Sequence, residues 1–76
     1  MKEGDLVALL IDLPARQLAA GDVGTIAYIY QNGAGYEVEF VNANGDTIAV
    51  ETLKADQVKG VTSSEVILHI RLDTAA

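Results

Sequence analysis

Turn-forming residues cut the body of this chain into short pieces. Gly4-Asp5, Asp12-Leu13-Pro14, Gly21-Asp22, Gln31-Asn32-Gly33-Ala34-Gly35 and Ala43-Asn44-Gly45 recur at intervals that leave room for brief strands between them. Glycine and asparagine tolerate the positive φ that tight hairpin turns require, so this punctuation predicts antiparallel connections. Residues 6–11, Leu-Val-Ala-Leu-Leu-Ile, are a short apolar run between breakers and read as the first strand. Pro14 to Ala20 is a connection with one helical turn at Ala15-Arg16-Gln17-Leu18. Val23 to Tyr30 is rich in β-formers and is the second strand, with Gly24 marking a bulge or a close backbone approach.

Tyr36-Glu37-Val38-Glu39-Phe40 alternates with period two. Tyr36, Val38 and Phe40 therefore face the core, and Glu37 and Glu39 face water. Thr47 to Leu53 is the fourth strand. A three-residue turn with Gly45 left-handed would pair Phe40 with Ile48 and Val38 with Val50. A two-residue turn would set Val38 opposite Glu51 and mix the faces. Burial selects the first register, which also sets Glu37 beside Glu51 on the outer face. Lys54 to Val58 reads as a helical turn leading to a last strand at Lys59-Gly60-Val61. Five short strands at turn spacing predict an all-β, small five-stranded antiparallel barrel. Its expected core is Val7, Leu9, Ile11, Val23, Ile26, Val38, Phe40, Ile48, Val50 and Val58.

The chain divides into a barrel over residues 1–61 and an extension over residues 62–76. Val66, Leu68, Ile70 and Leu72 alternate with Ile67, His69 and Arg71, which favours a C-terminal extra strand. Thr62-Ser63-Ser64-Glu65 also matches a capping box, which keeps a helix open. The stripe Val66, Leu68, Ile70 and Leu72 is apolar enough to require a surface. It is expected to form a homodimer interface, the alternative being a lid over its own barrel.

With 76 residues the chain forms one thin-cored domain, burying about 60% of its unfolded surface. It has no cysteine, so no disulfide or thiolate metal site supports it, and a reducing compartment fits. Five basic against eleven acidic residues give a net charge of −6, which repels phosphate backbones and anionic lipid. The basic residues Lys2, Arg16, Lys54, Lys59 and Arg71 are scattered and do not interleave with aromatics. No apolar run reaches the ~20 residues that span a bilayer, and the stretch at residues 6–11 is too short for a signal peptide. The expected location is the cytoplasm, with no membrane and no nucleic-acid partner.

Blocks along the chain resemble a known family. Gly4-Asp5-Leu6-Val7-Ala8-Leu9-Leu10 with Asp12-Leu13-Pro14, then Gly21-Asp22-Val23-Gly24-Thr25-Ile26, then Tyr36-Glu37-Val38-Glu39-Phe40, resemble short uncharacterised bacterial proteins. These are similar in turn to the SH3-like domain of the nitrile hydratase β subunit. The resemblance covers roughly residues 3–61. The resemblance implies that the five-stranded antiparallel barrel is SH3-like and implies no activity, and it leaves residues from Thr62 onward outside the pattern.

Catalytic constellations are missing from the sequence. His69 has no cysteine partner and no serine–acid arrangement around it, so a structural or surface role is the better reading. Asn42, Asn44 and Asp46 faintly match a calcium loop but lack its downstream bidentate acid, so they read as a hairpin turn. Gly21 and Gly24 are followed by a strand rather than a helix, which argues against a phosphate cradle. No cofactor and no metal are expected.

A non-catalytic protein-interaction module of accessory or immunity type fits best, with a partner expected among the products of nearby genes. A nucleic-acid or ribosome-associated barrel is the first alternative, and an accessory subunit of a hydratase-like enzyme the second. The expected partner surface is Leu13, Leu18, Tyr28, Tyr30, Glu37, Glu39 and Glu51. If Tyr28 and Tyr30 face outward they flank the loop from Leu13 to Leu18 and line a peptide groove; if inward, they cover the thin core.

Overall fold

The computed structural model of the protein describes residues 1–42, 44–62 and 64. Five strands form one antiparallel sheet: β1 (Leu6–Leu9), β2 (Val23–Ile29), β3 (Gly35–Val41), β4 (Thr47–Lys54) and β5 (Val58–Gly60). Their order across the sheet is β4-β3-β2-β1-β5. Among the described residues three single 3-10 turns, at Pro14–Arg16, Gln31–Gly33 and Ala55–Gln57, connect strands, and the fold is all-β. The first and last of these turns fall where the sequence predicts a helical turn. The extension from residue 65, with Val66, Leu68, Ile70 and Leu72, lies outside the described residues.

One face of the sheet holds the core. Val7, Leu9, Leu18, Ile26, Tyr36, Val38, Phe40, Leu53 and Val58 form a single buried cluster, with Ile11, Leu13, Ile29, Ala49 and Ala55 packed against it. Leu18 reaches this cluster because the loop folds back on itself. The Leu13 N–H donates to the Leu18 carbonyl at 2.8 Å, and Leu18 N–H returns a bond to the Leu13 carbonyl at 3.1 Å. Asp12 and Asp22 hold the loop's far side, accepting from the N–H groups of Ala20 and Ala19 at 2.9 and 2.8 Å.

The register of β3 against β4 corrects the expected one. Val38 pairs with Glu51, Phe40 with Ala49 and Tyr36 with Leu53. Opposed residues of a ladder share a face. Ala49, Glu51 and Leu53 therefore face the core, while Ile48 and Val50 are each 54% exposed and do not belong to it. The connecting loop sets this register. Asn42 N–H donates to the Asp46 carbonyl at 2.9 Å, and Asn42 Oδ1 accepts from the N–H groups of Asn44 and Asp46. A register shift between Phe40 and Val41 then opposes Val41 to Thr47, leaving Ile48 as the extra residue of a bulge. Leu53 gains burial against Tyr36, and Glu51 is tolerated inward because Arg16 meets it.

A second bulge sits in β2. Ile26 pairs with Val38, Tyr28 with Glu37 and Ile29 with Tyr36, so Ala27 is the extra residue. Side chains alternate along a strand, and one inserted residue reverses the alternation beyond it. Ile26 thus points into the core while Tyr28 points out. Gly24 is no bulge; it is the close approach that its sequence position also allowed. A Cβ there would lie 2.6 Å from Val38 Cγ1 and 2.9 Å from Phe40 Cδ1.

Candidate functional site on the outer face of strands two to four

The outer face carries Thr25, Tyr28 and Tyr30 from β2 and its end, Glu37, Glu39 and Val41 from β3, and Thr47, Ile48, Val50 and Thr52 from β4. Five apolar or aromatic members, Tyr28, Tyr30, Val41, Ile48 and Val50, are exposed. Tyr28 and Tyr30 pack edge to face, with ring centroids 5.1 Å apart and an interplanar angle of 80°. That geometry suits the quadrupoles of the two rings and limits their freedom.

Hydroxyl donors hold the two carboxylates of this face. Tyr30 Oη donates to Glu37 Oε1 at 3.1 Å, and the Thr52 hydroxyl bridges to Oε1 and, at 2.8 Å, to Oε2. Thr47 Oγ1 donates to Glu39 Oε2 at 2.7 Å. These bonds orient the carboxylates without neutralising them. The Tyr30 hydroxyl is pushed above its ordinary value of 10.0, first by desolvation and then by its hydrogen bond to Glu37 and the charge of that carboxylate.

The residues expected to form one surface lie on two faces. Glu51 points inward, away from Glu37 and Glu39, and binds Arg16 with Nε to Oε2 at 2.9 Å. Leu18 is buried and Leu13 packs against the core cluster, so neither lines a groove with the tyrosines. The pleat is the cause: Glu51 and Thr52 are neighbours in sequence and so lie on opposite faces of β4. The tyrosines face outward, the first of the two orientations expected, but the loop from Leu13 to Leu18 sits on the other side. Ile48, Val50 and Val41 join the outer face instead, Val41 by the alternation of β3 and the other two through the β4 register, which leaves no distinctive residue in the sequence.

Among the described residues no group of three or more histidine, cysteine, aspartate or glutamate side chains could hold a metal ion, and no helix is long and apolar enough to cross a membrane. His69 lies outside the described residues. The outer face offers two oriented anionic acceptors within an apolar and aromatic surround, which suits a basic side chain carried on an apolar surface.

Residues 3–60, well over half of the chain, match the family described as Domain of unknown function (DUF4926). The chain belongs to that family. No curated protein matches it, and no solved structure does.

Proposed function

We propose that this DUF4926 chain is a non-catalytic protein-interaction module of accessory or immunity type, built as an SH3-like barrel and acting in the cytoplasm. The observation that carries the reading is the outer face of β2, β3 and β4. Exposed Tyr28, Tyr30, Val41, Ile48 and Val50 surround Glu37 and Glu39, whose charges meet no cation there among the described residues. The partner is a protein with a basic side chain set in an apolar surface, and its gene lies near this one. The strand order β4-β3-β2-β1-β5 and the 3-10 turn between β4 and β5 support the barrel. The acidic face and the net charge of −6 weigh against a nucleic-acid partner, since phosphates would meet carboxylates.

The test is an NMR titration of the labelled chain with the products of adjacent genes. Binding should perturb the amides of Tyr28, Tyr30, Glu37, Ile48 and Val50. Tyr28→Ala and Glu37→Gln should each weaken the complex by about tenfold, the scale of a central interface residue. Perturbations confined to the opposite face, or an unchanged affinity in both variants, would sink the reading.

A further inference from the structure

The chain leaves the sheet beside the outer face. Val61, one residue past β5, donates its N–H to the Leu6 carbonyl at 3.1 Å. Leu6 pairs with Thr25 and Thr25 with Glu39. The row Val61, Leu6, Thr25, Glu39 thus runs from the end of β5 onto that face. β5 and β2 both run antiparallel to β1, so they run parallel to each other. The chain therefore leaves β5 in the direction in which β2 continues to Tyr28 and Tyr30. From β5 to β3 is three strand spacings, about 14 Å. The link from Val61 to Val66 spans up to about 17 Å. Residues from 66 onward can therefore reach Thr25, Tyr28, Glu37 and Glu39.

Beyond Ser64 the sequence runs Glu65-Val66-Ile67-Leu68-His69-Ile70-Arg71-Leu72. Arg16 is bound to Glu51, and of the basic residues only Arg71 stands in an aliphatic run. A segment laid on the face of a sheet receives no backbone bonds from the strands, so it must bond its own N–H and C=O groups as a helix. Thr62 and Glu65 have capping-box spacing, and Ser64 is helical. Helical spacing gathers Ile67, Leu68, Arg71 and Leu72 on one side, an arginine set among aliphatic side chains. Strand spacing would put Arg71 on the side opposite Leu68 and Leu72.

We propose that residues 65–72 dock as this helix on the outer face of their own chain, with Arg71 at Glu39, and so occupy the surface a partner must take. Glu39 is the freer of the two carboxylates: the Thr47 hydroxyl alone holds it, whereas Tyr30 and Thr52 both hold Glu37. Ile67, Leu68 and Leu72 would cover the half-buried Leu6 and the exposed ring of Tyr28. A short tether keeps the segment at an effective concentration of about millimolar, which favours its own face over that of a second copy. The inference rests on the reading of this face as a partner surface, and it adds that a partner binds by displacing the tail.

The chain has no cysteine, so Asp73→Cys accepts a single nitroxide, on the side of the helix away from Arg71. In dilute solution of the full chain the amides of Thr25, Tyr28, Glu37 and Glu39 should broaden, while those of Arg16, Gln17 and Leu18 stay sharp. Arg71→Glu should remove the broadening, and Arg71→Glu combined with Glu39→Arg should restore it. Isotope-labelled chain without nitroxide, mixed with unlabelled nitroxide-bearing chain, should show none. Broadening that is even over the sheet, that survives Arg71→Glu, that the charge exchange does not restore, or that passes between chains would each overturn the proposal. No partner is present in these measurements, so their failure leaves the partner face to its own titration, and a failed titration leaves the tail contact standing.

Discussion

Gly24 and Val38 meet across β2 and β3 with no room for a methyl group between them. A Cβ on Gly24 would fall 2.6 Å from Val38 Cγ1, and the Glu39 carbonyl and Phe40 ring stand at 2.8 and 2.9 Å. Val38 and Phe40 are among the most deeply buried side chains, so neither can move aside without disturbing the core. Gly24→Ala should therefore destabilise the protein by about 1–3 kcal/mol, the usual cost of overfilling a packed interior. Urea denaturation of the variant against the wild type measures it, and an unchanged midpoint would contradict the close approach.

The β3–β4 register makes a sharp distinction between two apolar residues. Phe40 is buried on the inner face opposite Ala49, whereas Val50 stands on the outer face opposite Glu39. Phe40→Ala should cost about 3–5 kcal/mol by emptying a core site. Val50→Ala should stay within about 0.5 kcal/mol. Comparable losses at both positions would restore the register in which Val50 pairs with Val38.

Local patterns were legible; offsets created by single extra residues were not. The alternation of Tyr36, Val38 and Phe40 announces a strand with one buried face, and that face is the core. Gly24 is legible as a bulge or a close approach, and the packing of Val38 and Phe40 makes it the close approach. The face of Tyr28 depends on the bulge at Ala27, and alanine carries no bulge signal. The register of β4 depends on four bonds involving the Asn42 backbone and side chain, which no periodicity encodes. Burial alone prefers Ile48 and Val50 inside over Ala49 and Glu51, and the loop overrides it. Once the loop is set, Glu51 needs a partner, and only the folded connection brings Arg16 to it. The candidate site inherits the same limits. Glu37 and Glu39 were legible as surface residues and the face of Tyr28 and Tyr30 was not, while the separation of Glu51 from them followed from the β4 register and that of Leu13 and Leu18 from the folded-back loop.

The Arg16–Glu51 pair is unequal in its surroundings. The Arg16 side chain is 62% exposed and that of Glu51 18%. Solvent screens the arginine, so Arg16→Ala should cost less than about 1 kcal/mol, and the loss should shrink as salt is added. Glu51→Leu should be neutral or stabilising, because it replaces a half-buried carboxylate with apolar surface beside Val38. Thermal melts of both variants in low and high salt test the asymmetry. A larger penalty for Glu51→Leu than for Arg16→Ala would mean that the carboxylate makes a further stabilising interaction.

Tyr30 and Glu37 couple the proposed partner face to pH. Desolvation and the adjacent carboxylate both disfavour the phenolate, so Tyr30 loses its proton above its ordinary value of 10.0. A tyrosine whose folded value is raised contributes stability fully below the unfolded value, and that contribution is lost as pH rises through the folded one. The wild type should therefore weaken in alkaline solution above pH 10.0, beyond what Tyr30→Phe shows in the same range. Glu37→Gln keeps an acceptor for the Tyr30 hydroxyl but removes the negative charge, so it should move the Tyr30 midpoint down towards the ordinary value. Phenolate absorbance followed through an alkaline titration reads this directly, with Tyr30→Phe identifying which of the three transitions belongs to Tyr30. A midpoint in Glu37→Gln equal to that of the wild type would show that the carboxylate does not act on the hydroxyl, and the hydrogen bond between them would lose its support.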